Sequence, residues 1–156
     1  EDDAKAVKQL MEGDATRIVS GGTSAQIVAR ALDKEIAPHT GPLDPAIPPI
    51  AHIEGIDLTT EGVLTLSHTL KLLERYENDD LDETFFEELD GDNGGAMIAR
   101  ILIEDCTDLE IILGTASNDA HTTPGLAFRL HARNQLVEYL KELMEKMDKT
   151  VTVYVY

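Results

Sequence analysis

Apolar side chains recur three and four positions apart along five segments of the chain, which is the spacing of the buried face of an amphipathic helix. The helices that this pattern predicts cover residues 4–11, 25–32, 60–75, a segment that follows Gly94-Gly95, and 127–147. Short apolar runs between the helices predict strands, and the last run alternates valine with threonine or tyrosine as a half-buried strand does. The predicted strands cover 17–20, 50–58, 109–113 and 151–155.

Helices that alternate with strands predict an α/β protein. We expect a mainly parallel sheet of about four strands with helices on both faces, the three-layer arrangement of Rossmann-like proteins. We assign residues 1–156 to a single domain, since this length is typical of one domain. The domain has two predicted irregular segments, a loop over 38–49 that holds five prolines and an acidic connector over 76–93.

The acidic connector belongs to a strongly acidic chain, whose formal net charge is −17. Ten carboxylates lie between residues 74 and 92, with only Arg75 against them. Runs of this kind are usually solvated and mobile. Binding to nucleic acid needs lysine and arginine to neutralise phosphates, so we predict that neither nucleic acid nor an anionic membrane is a partner.

The cellular compartment is predicted from two further observations. Cys106 is the only cysteine, so the chain cannot form an internal disulfide, which agrees with a reducing compartment. No apolar run approaches the roughly 18 residues that a membrane span needs. We therefore predict a cytoplasmic protein.

The first candidate site is the turn between the first predicted strand and the next helix, where Gly21, Gly22 and Thr23 follow Ser20. Glycines permit a tight turn, and the free N–H groups at the start of a helix can hold an anion such as a phosphate. A structural alternative explains the same residues, because Thr23 and Gln26 have the spacing of a helix capping box.

The second candidate site holds three carboxylates, Glu54, Asp57 and Glu61, around the end of the second predicted strand. They could form a polar lip over the sheet that binds a ligand hydroxyl or a metal. The structural alternative is helix capping, since a carboxylate in the first turn of a helix interacts favourably with the positive end of the helix dipole.

The third candidate site is the small, polar loop after the third predicted strand, with Thr115, Asn118 and His121 as candidate binding residues. Ligands of open α/β sheets bind outside the carboxyl ends of the strands. We therefore expect the three candidate sites to converge on one rim of the sheet. No set of residues has the spacing of a metal site, so we predict no metal in this segment.

Three stretches of the chain carry a resemblance to a known family. Residues 18–30 read IVSGGTSAQIVAR, residues 53–66 read IEGIDLTTEGVLTL after Pro48-Pro49, and Gly114-Thr115-Ala116-Ser117-Asn118 is followed by Ala120-His121. In this order they resemble segments of bacterial sporulation-protein-E-like serine/threonine phosphatases, downstream of a PP2C-type catalytic domain. The chain departs from the family at Asp119 and Thr122-Thr123, where the family more often has proline and Gln-Asn.

The resemblance implies a parent phosphatase that uses two Mn²⁺ or Mg²⁺ ions, with the phosphatase centre outside this segment. The segment itself would need no cofactor. It would act as a regulatory or ligand-binding accessory domain whose partners are the N-terminal phosphatase domain of the same chain and a small anionic ligand.

Two alternatives stay open. The chain could be a small enzyme acting on a phosphorylated or nucleotide ligand, with His121 and either Asp57 or Glu54 as acid and base and the glycine turn holding the phosphate. It could also be a structural unit that forms a homodimer.

Overall fold

The computed structural model describes residues 2–38, 50–114 and 126–156. These residues form α1 (Asp2–Met11), β1 (Ile18–Ser20), α2 (Gly22–Leu32), β2 (Ala37–Pro38), β3 (Ile50–His52), β4 (Leu58–Thr60), α3 (Val63–Glu77), α4 (Glu83–Leu89), α5 (Gly94–Arg100), a π-helical turn (Ile101–Asp105), β5 (Asp108–Leu113), α6 (Leu126–Lys146) and β6 (Thr150–Val155). The predicted α/β class is confirmed. No helix within these ranges is both long and apolar enough to cross a membrane.

The strands form two sheets, so the prediction of one mainly parallel sheet is wrong. The first sheet has the order β1-β4-β3-β2, in which only β1 and β4 are parallel. β3 runs antiparallel to both of its neighbours. The second sheet pairs β5 with β6 in parallel. Hydrophobic periodicity predicts where strands lie in the sequence, but it does not predict which strands pair or in which direction.

A reversal at Gly55 accounts for the antiparallel part of the first sheet. The single strand predicted over 50–58 is two strands, β3 and β4, joined by a turn in which the Ile56 N–H donates to the Ile53 carbonyl at 3.0 Å. Gly55 has a φ of +95°, which glycine adopts without the steric cost that a side chain brings. The chain therefore turns back where the apolar pattern alone suggests that it continues.

Two apolar clusters lie against the first sheet, and neighbouring residues of β1 contribute to different ones. Ile18 packs against the larger cluster, whose buried members come mainly from α3, α5 and α6. The next residue, Val19, belongs to the second cluster with residues of α1 and α2. Successive side chains of a strand point to opposite faces, so each face of β1 meets a different set of helices.

The predicted acidic connector contains a helix, α4, so the prediction of an irregular segment over 76–93 needs correction. Phe85 and Leu89 of α4 are buried in a third cluster against α3 and α5. Asp82 caps the helix by accepting from the Phe85 N–H at 2.9 Å. That hydrogen bond, together with Arg75, lowers the pKa of Asp82 below its ordinary value. The apolar contacts hold the acidic segment in place despite its charge.

Arg75 is the cation at the centre of this acidic segment. Its guanidinium pairs with Asp82 at 2.8 Å, with Asp80 at 3.2 Å and with Glu88 at 3.7 Å. It also lies over the Phe85 ring, 5.5 Å from the ring centroid. Several carboxylates are therefore placed around one arginine instead of being spread along a solvated chain.

The start of α5 packs closely on α3 through two buried glycines. A Cβ atom at Gly95 would lie 2.5 Å from Cδ2 and 2.9 Å from Cβ of His68, and one at Gly94 would lie 2.8 Å from Cγ2 of Thr60. Thr69 of α3 donates from its hydroxyl to the Gly95 carbonyl at 2.9 Å. Only glycine leaves room for so close an approach of the two helices.

Candidate functional site

The carboxyl ends of the parallel strands β1 and β4 meet at a corner formed by Gly21 and Gly62, which we call the glycine corner. The Gly21 N–H donates to the Thr60 carbonyl at 2.8 Å and so extends the pairing of the two strands by one residue. A Cβ atom at Gly62 would lie 3.4 Å from the Gly21 Cα atom, which shows how closely the two backbones approach. α2 begins directly after Gly21 and α3 directly after Gly62.

Neither helix start is capped by the side chain of its N-cap residue, because that residue is glycine in both. Gly21 has a φ of +108°, a conformation that suits glycine. Gly22 and Thr23, the first two residues of α2, are exposed. The first N–H groups of a helix have no partner within the helix, and they carry the positive end of its dipole. The glycine corner thus brings two such ends side by side.

Glu61 is the one predicted carboxylate that lies at the glycine corner. Its backbone carbonyl accepts from the Ser20 hydroxyl at 3.2 Å and from the Thr60 hydroxyl at 3.0 Å. Its carboxylate accepts from the Thr65 N–H in the first turn of α3, at the long distance of 3.4 Å. Glu61 therefore supplies the negative charge at the start of α3, while the start of α2 has no equivalent.

Thr59, three residues before Gly62, is buried in the middle of β4. Its Oγ1 atom has no hydrogen-bond partner among the described residues. Buried hydroxyls almost always have a partner, so this one is unusual.

The predicted capping box of Thr23 and Gln26 does not form. It requires Thr23 at the N-cap, whereas Gly21 holds that position and Thr23 is already inside α2. The helix starts at Gly22, three residues earlier than the apolar spacing suggests. Thr23 thus lies at the exposed first turn without a capping role.

Glu54 and Asp57 lie away from the glycine corner, because the chain reverses at Gly55 and both residues precede β4. Asp57 stands four residues before Glu61, about 13 Å along an extended chain. Its carboxylate accepts from the backbone N–H of Arg17 at 2.7 Å, just before β1 starts. Glu54 forms an exposed ion pair with Lys34 at 3.4 Å and lines a shallow groove of about 580 Å³. Glu54 and Asp57 therefore do not share one rim of the sheet with Gly21 and Gly22, as we expected from the sequence.

The third predicted group, Thr115, Asn118 and His121, lies outside the described residues. The strand that leads to it, β5, belongs to the second sheet. At the end of that strand the Gly114 carbonyl accepts from Arg133 of α6 at 2.9 Å.

The described residues show no metal centre. Within them, no group of three or more histidine, cysteine or acidic side chains is placed to hold an ion. Burial raises the pKa of Cys106 above its ordinary value, which disfavours the reactive thiolate. Comparisons with family models, with curated proteins and with solved structures found no match.

Proposed function

We propose that this chain is a regulatory, ligand-binding accessory domain of a cytoplasmic sporulation-protein-E-like serine/threonine phosphatase, with the glycine corner as the ligand site. Ligand binding is supported by one observation. Two helices with a glycine at the N-cap, α2 and α3, begin side by side at the carboxyl ends of the parallel strands β1 and β4. This is where α/β proteins bind ligands, and helix starts are suited to anions.

The parentage rests on the sequence resemblance, whose first two stretches contain the residues of this corner. Residues 18–30 include β1, Gly21 and most of α2, and residues 53–66 include β4, Glu61 and Gly62. The two stretches that resemble the family thus contribute to one local structure. In the proposed parent, the metal-dependent phosphatase centre with its Mn²⁺ or Mg²⁺ ions belongs to an N-terminal domain, which is the partner of this segment.

The ligand that fits the corner is small and carries an anionic group together with a hydroxyl. The exposed start of α2 would bind the anionic group through the N–H groups of Gly22 and Thr23. Glu61 repels a second anionic group but can accept a hydrogen bond from a hydroxyl. Phosphorylated metabolites and nucleotides have both features.

Replacement of Gly22 tests this site. A Cβ atom at Gly22 meets nothing within 4 Å, so a side chain fits there without a clash. Gly22→Asp places a carboxylate at the start of α2, where it favours the helix dipole but repels an anionic ligand. We expect binding of nucleoside monophosphates and sugar phosphates, measured by calorimetry, to weaken by at least about tenfold in this variant. The thermal stability should be unchanged or higher.

Gly22→Ala is the matched control, since it adds a Cβ atom without charge and should keep ligand affinity. Equal affinities of the two variants for every ligand bound would contradict the site, and so would a wild-type chain that binds none of these compounds. The parentage has its own test, because it requires a coding sequence for a PP2C-type domain upstream of this segment.

A further inference from the structure

Three exposed apolar side chains, Tyr76, Leu81 and Phe86, lie in the most acidic part of the chain, and we call them the exposed patch. Seven large apolar side chains are exposed among the described residues, and three of the seven belong to this patch. Phe86 is the most exposed of the three, at 52%. Single apolar residues are ordinary on a protein surface, whereas a cluster of them marks an interaction surface.

The exposed patch is arranged around one buried ring, that of Phe85. The Phe86 ring meets the Phe85 ring edge to face, with 5.2 Å between the two centroids, and the centroid of the Tyr76 ring lies 6.5 Å from that of Phe85. Leu81 lies between two aspartates whose carboxylates both bind Arg75, the cation over the Phe85 ring. Because Phe85 is fully buried, the patch is anchored to the core of the protein.

The carboxylates around the exposed patch are only partly neutralised. Arg75 pairs with Asp80, Asp82 and Glu88. Other carboxylates of the same segment form no ion pair with any described residue, namely Glu77, Asp79, Glu83, Glu87 and Asp90. An apolar surface surrounded by unpaired carboxylates is complementary to a partner that is both basic and apolar.

We propose that the exposed patch docks a basic amphipathic segment of a partner protein. Apolar side chains of that segment cover Tyr76, Leu81 and Phe86, and its lysines and arginines pair with the surrounding carboxylates. A second copy of this chain fits less well, because a symmetric contact would place two equally acidic surfaces against each other. The patch lies on α3, α4 and the turn between them, so the proposal does not rest on the glycine corner or on the resemblance.

Two synthetic peptides test the charge of the partner. The first is an amphipathic peptide of about 18 residues, with leucine on one face of its helix and lysine on the other. The second is its neutral analogue, in which glutamine replaces every lysine. In calorimetry we expect the wild-type chain to bind the basic peptide at least about tenfold more tightly than the neutral one, and less tightly as KCl is added. Equal affinities for the two peptides, or no binding of the basic one, would overturn the proposal.

Two variants distinguish the exposed patch from a general attraction between a basic peptide and an acidic chain. Phe86→Ala should weaken binding of the basic peptide by at least about tenfold, because it removes the most exposed apolar side chain of the patch without a change of charge. Leu64→Ala is the matched control, since Leu64 is 64% exposed at the start of α3, and it should leave the affinity unchanged. Equal affinities of the two variants would contradict docking at the patch.

A charge reversal at Glu87, the neighbour of Phe86, tests the carboxylates around the patch. Glu87→Lys should weaken binding of the basic peptide at least about threefold more than Glu142→Lys does. Both glutamates are exposed and both variants change the net charge equally, but Glu142 lies on α6. Equal losses would show that the peptide responds to the total charge of the chain, and the proposal would fail.

A measurement on the wild-type chain avoids dependence on variants that fold poorly. The ring resonances of Phe86 and Tyr76 in NMR spectra should shift on titration with the basic peptide. Those of Tyr154, a tyrosine of similar exposure on β6, should not shift. Equal shifts at Tyr154, or none at Phe86 and Tyr76, would rule out the patch.

The oligomeric state tests the other occupant. Sedimentation of the wild-type chain alone should show no dimer that depends on the exposed patch. A dimer that Phe86→Ala abolishes and Leu64→Ala preserves would show that a second copy covers the patch, and it would overturn the assignment to a basic partner.

Discussion

Two Gly-Gly pairs stand at helix starts in this chain, and the structure uses them in opposite ways. Gly94 and Gly95 are buried, and a Cβ atom at either would collide with α3 or β4. Gly22 is exposed, with nothing within 4 Å of a Cβ atom, and Gly21 adopts a positive φ. The first pair serves close packing, while the second keeps a helix start open.

The capping of the two helices differs in the same sense. At α5 the Asn93 side chain accepts from the Ala96 N–H at 2.8 Å, so the buried helix start is satisfied within the protein. At α2 the N-cap is Gly21, which has no side chain to accept. The same dipeptide therefore serves packing at α5, where Asn93 caps the helix, and leaves the helix start uncapped at α2.

Gly95→Ala should have the largest effect. The new Cβ atom would lie 2.9 Å from the His68 Cβ atom, and the Thr69 hydrogen bond holds the helices together at this point. We expect the free energy of unfolding to fall by about 2 kcal/mol, measured by urea denaturation. A variant as stable as the wild type would show that α3 and α5 can separate without cost. The buried and the exposed Gly-Gly pairs would then not differ in their role.

Asn93→Ala should have an intermediate effect. It removes the acceptor of a buried N–H group, so we expect a loss of about 1.5 kcal/mol in the free energy of unfolding. Asn93→Ser is the matched control, because serine is a comparable N-cap residue and should restore most of the loss. Equal losses in the two variants would indicate a packing role for Asn93 instead of a capping role.

Gly22→Ala should have the smallest effect and the opposite sign. Alanine restricts the unfolded chain, and its side chain fits at this position, so we expect a gain of about 0.5 kcal/mol in the free energy of unfolding. The same urea denaturation measures it beside Gly95→Ala. A loss of stability would mean that the start of α2 is more crowded than the structure shows.

Much of the secondary structure could be predicted from local patterns. The alternation over 151–155 corresponds to β6, and the leucines at 66, 70 and 73 lie on the packed face of α3. The helix in the acidic segment was not predicted, because acidic residues dominate the composition of this segment. Its two buried apolar residues, Phe85 and Leu89, nevertheless anchor α4. Composition describes an average over a segment, whereas two buried side chains suffice to hold a short helix.

The candidate site could be predicted only in part. The predicted glycine turn lies between β1 and α2, with Glu61 beside it, and its role in ligand binding stays a prediction. Glu54 and Asp57 were misplaced, since one left-handed glycine, Gly55, sends both of them to the other end of β4.

The hydrogen bond between the Tyr156 hydroxyl and the Gln9 side chain joins residues 147 positions apart. Closing a loop of that length costs more chain entropy than the neighbouring strand pairs β2-β3 and β3-β4 require. This contact can therefore persist only once the intervening clusters have formed. It joins the first helix to the residue that follows the last strand, so fraying of one end of the chain removes a contact of the other end.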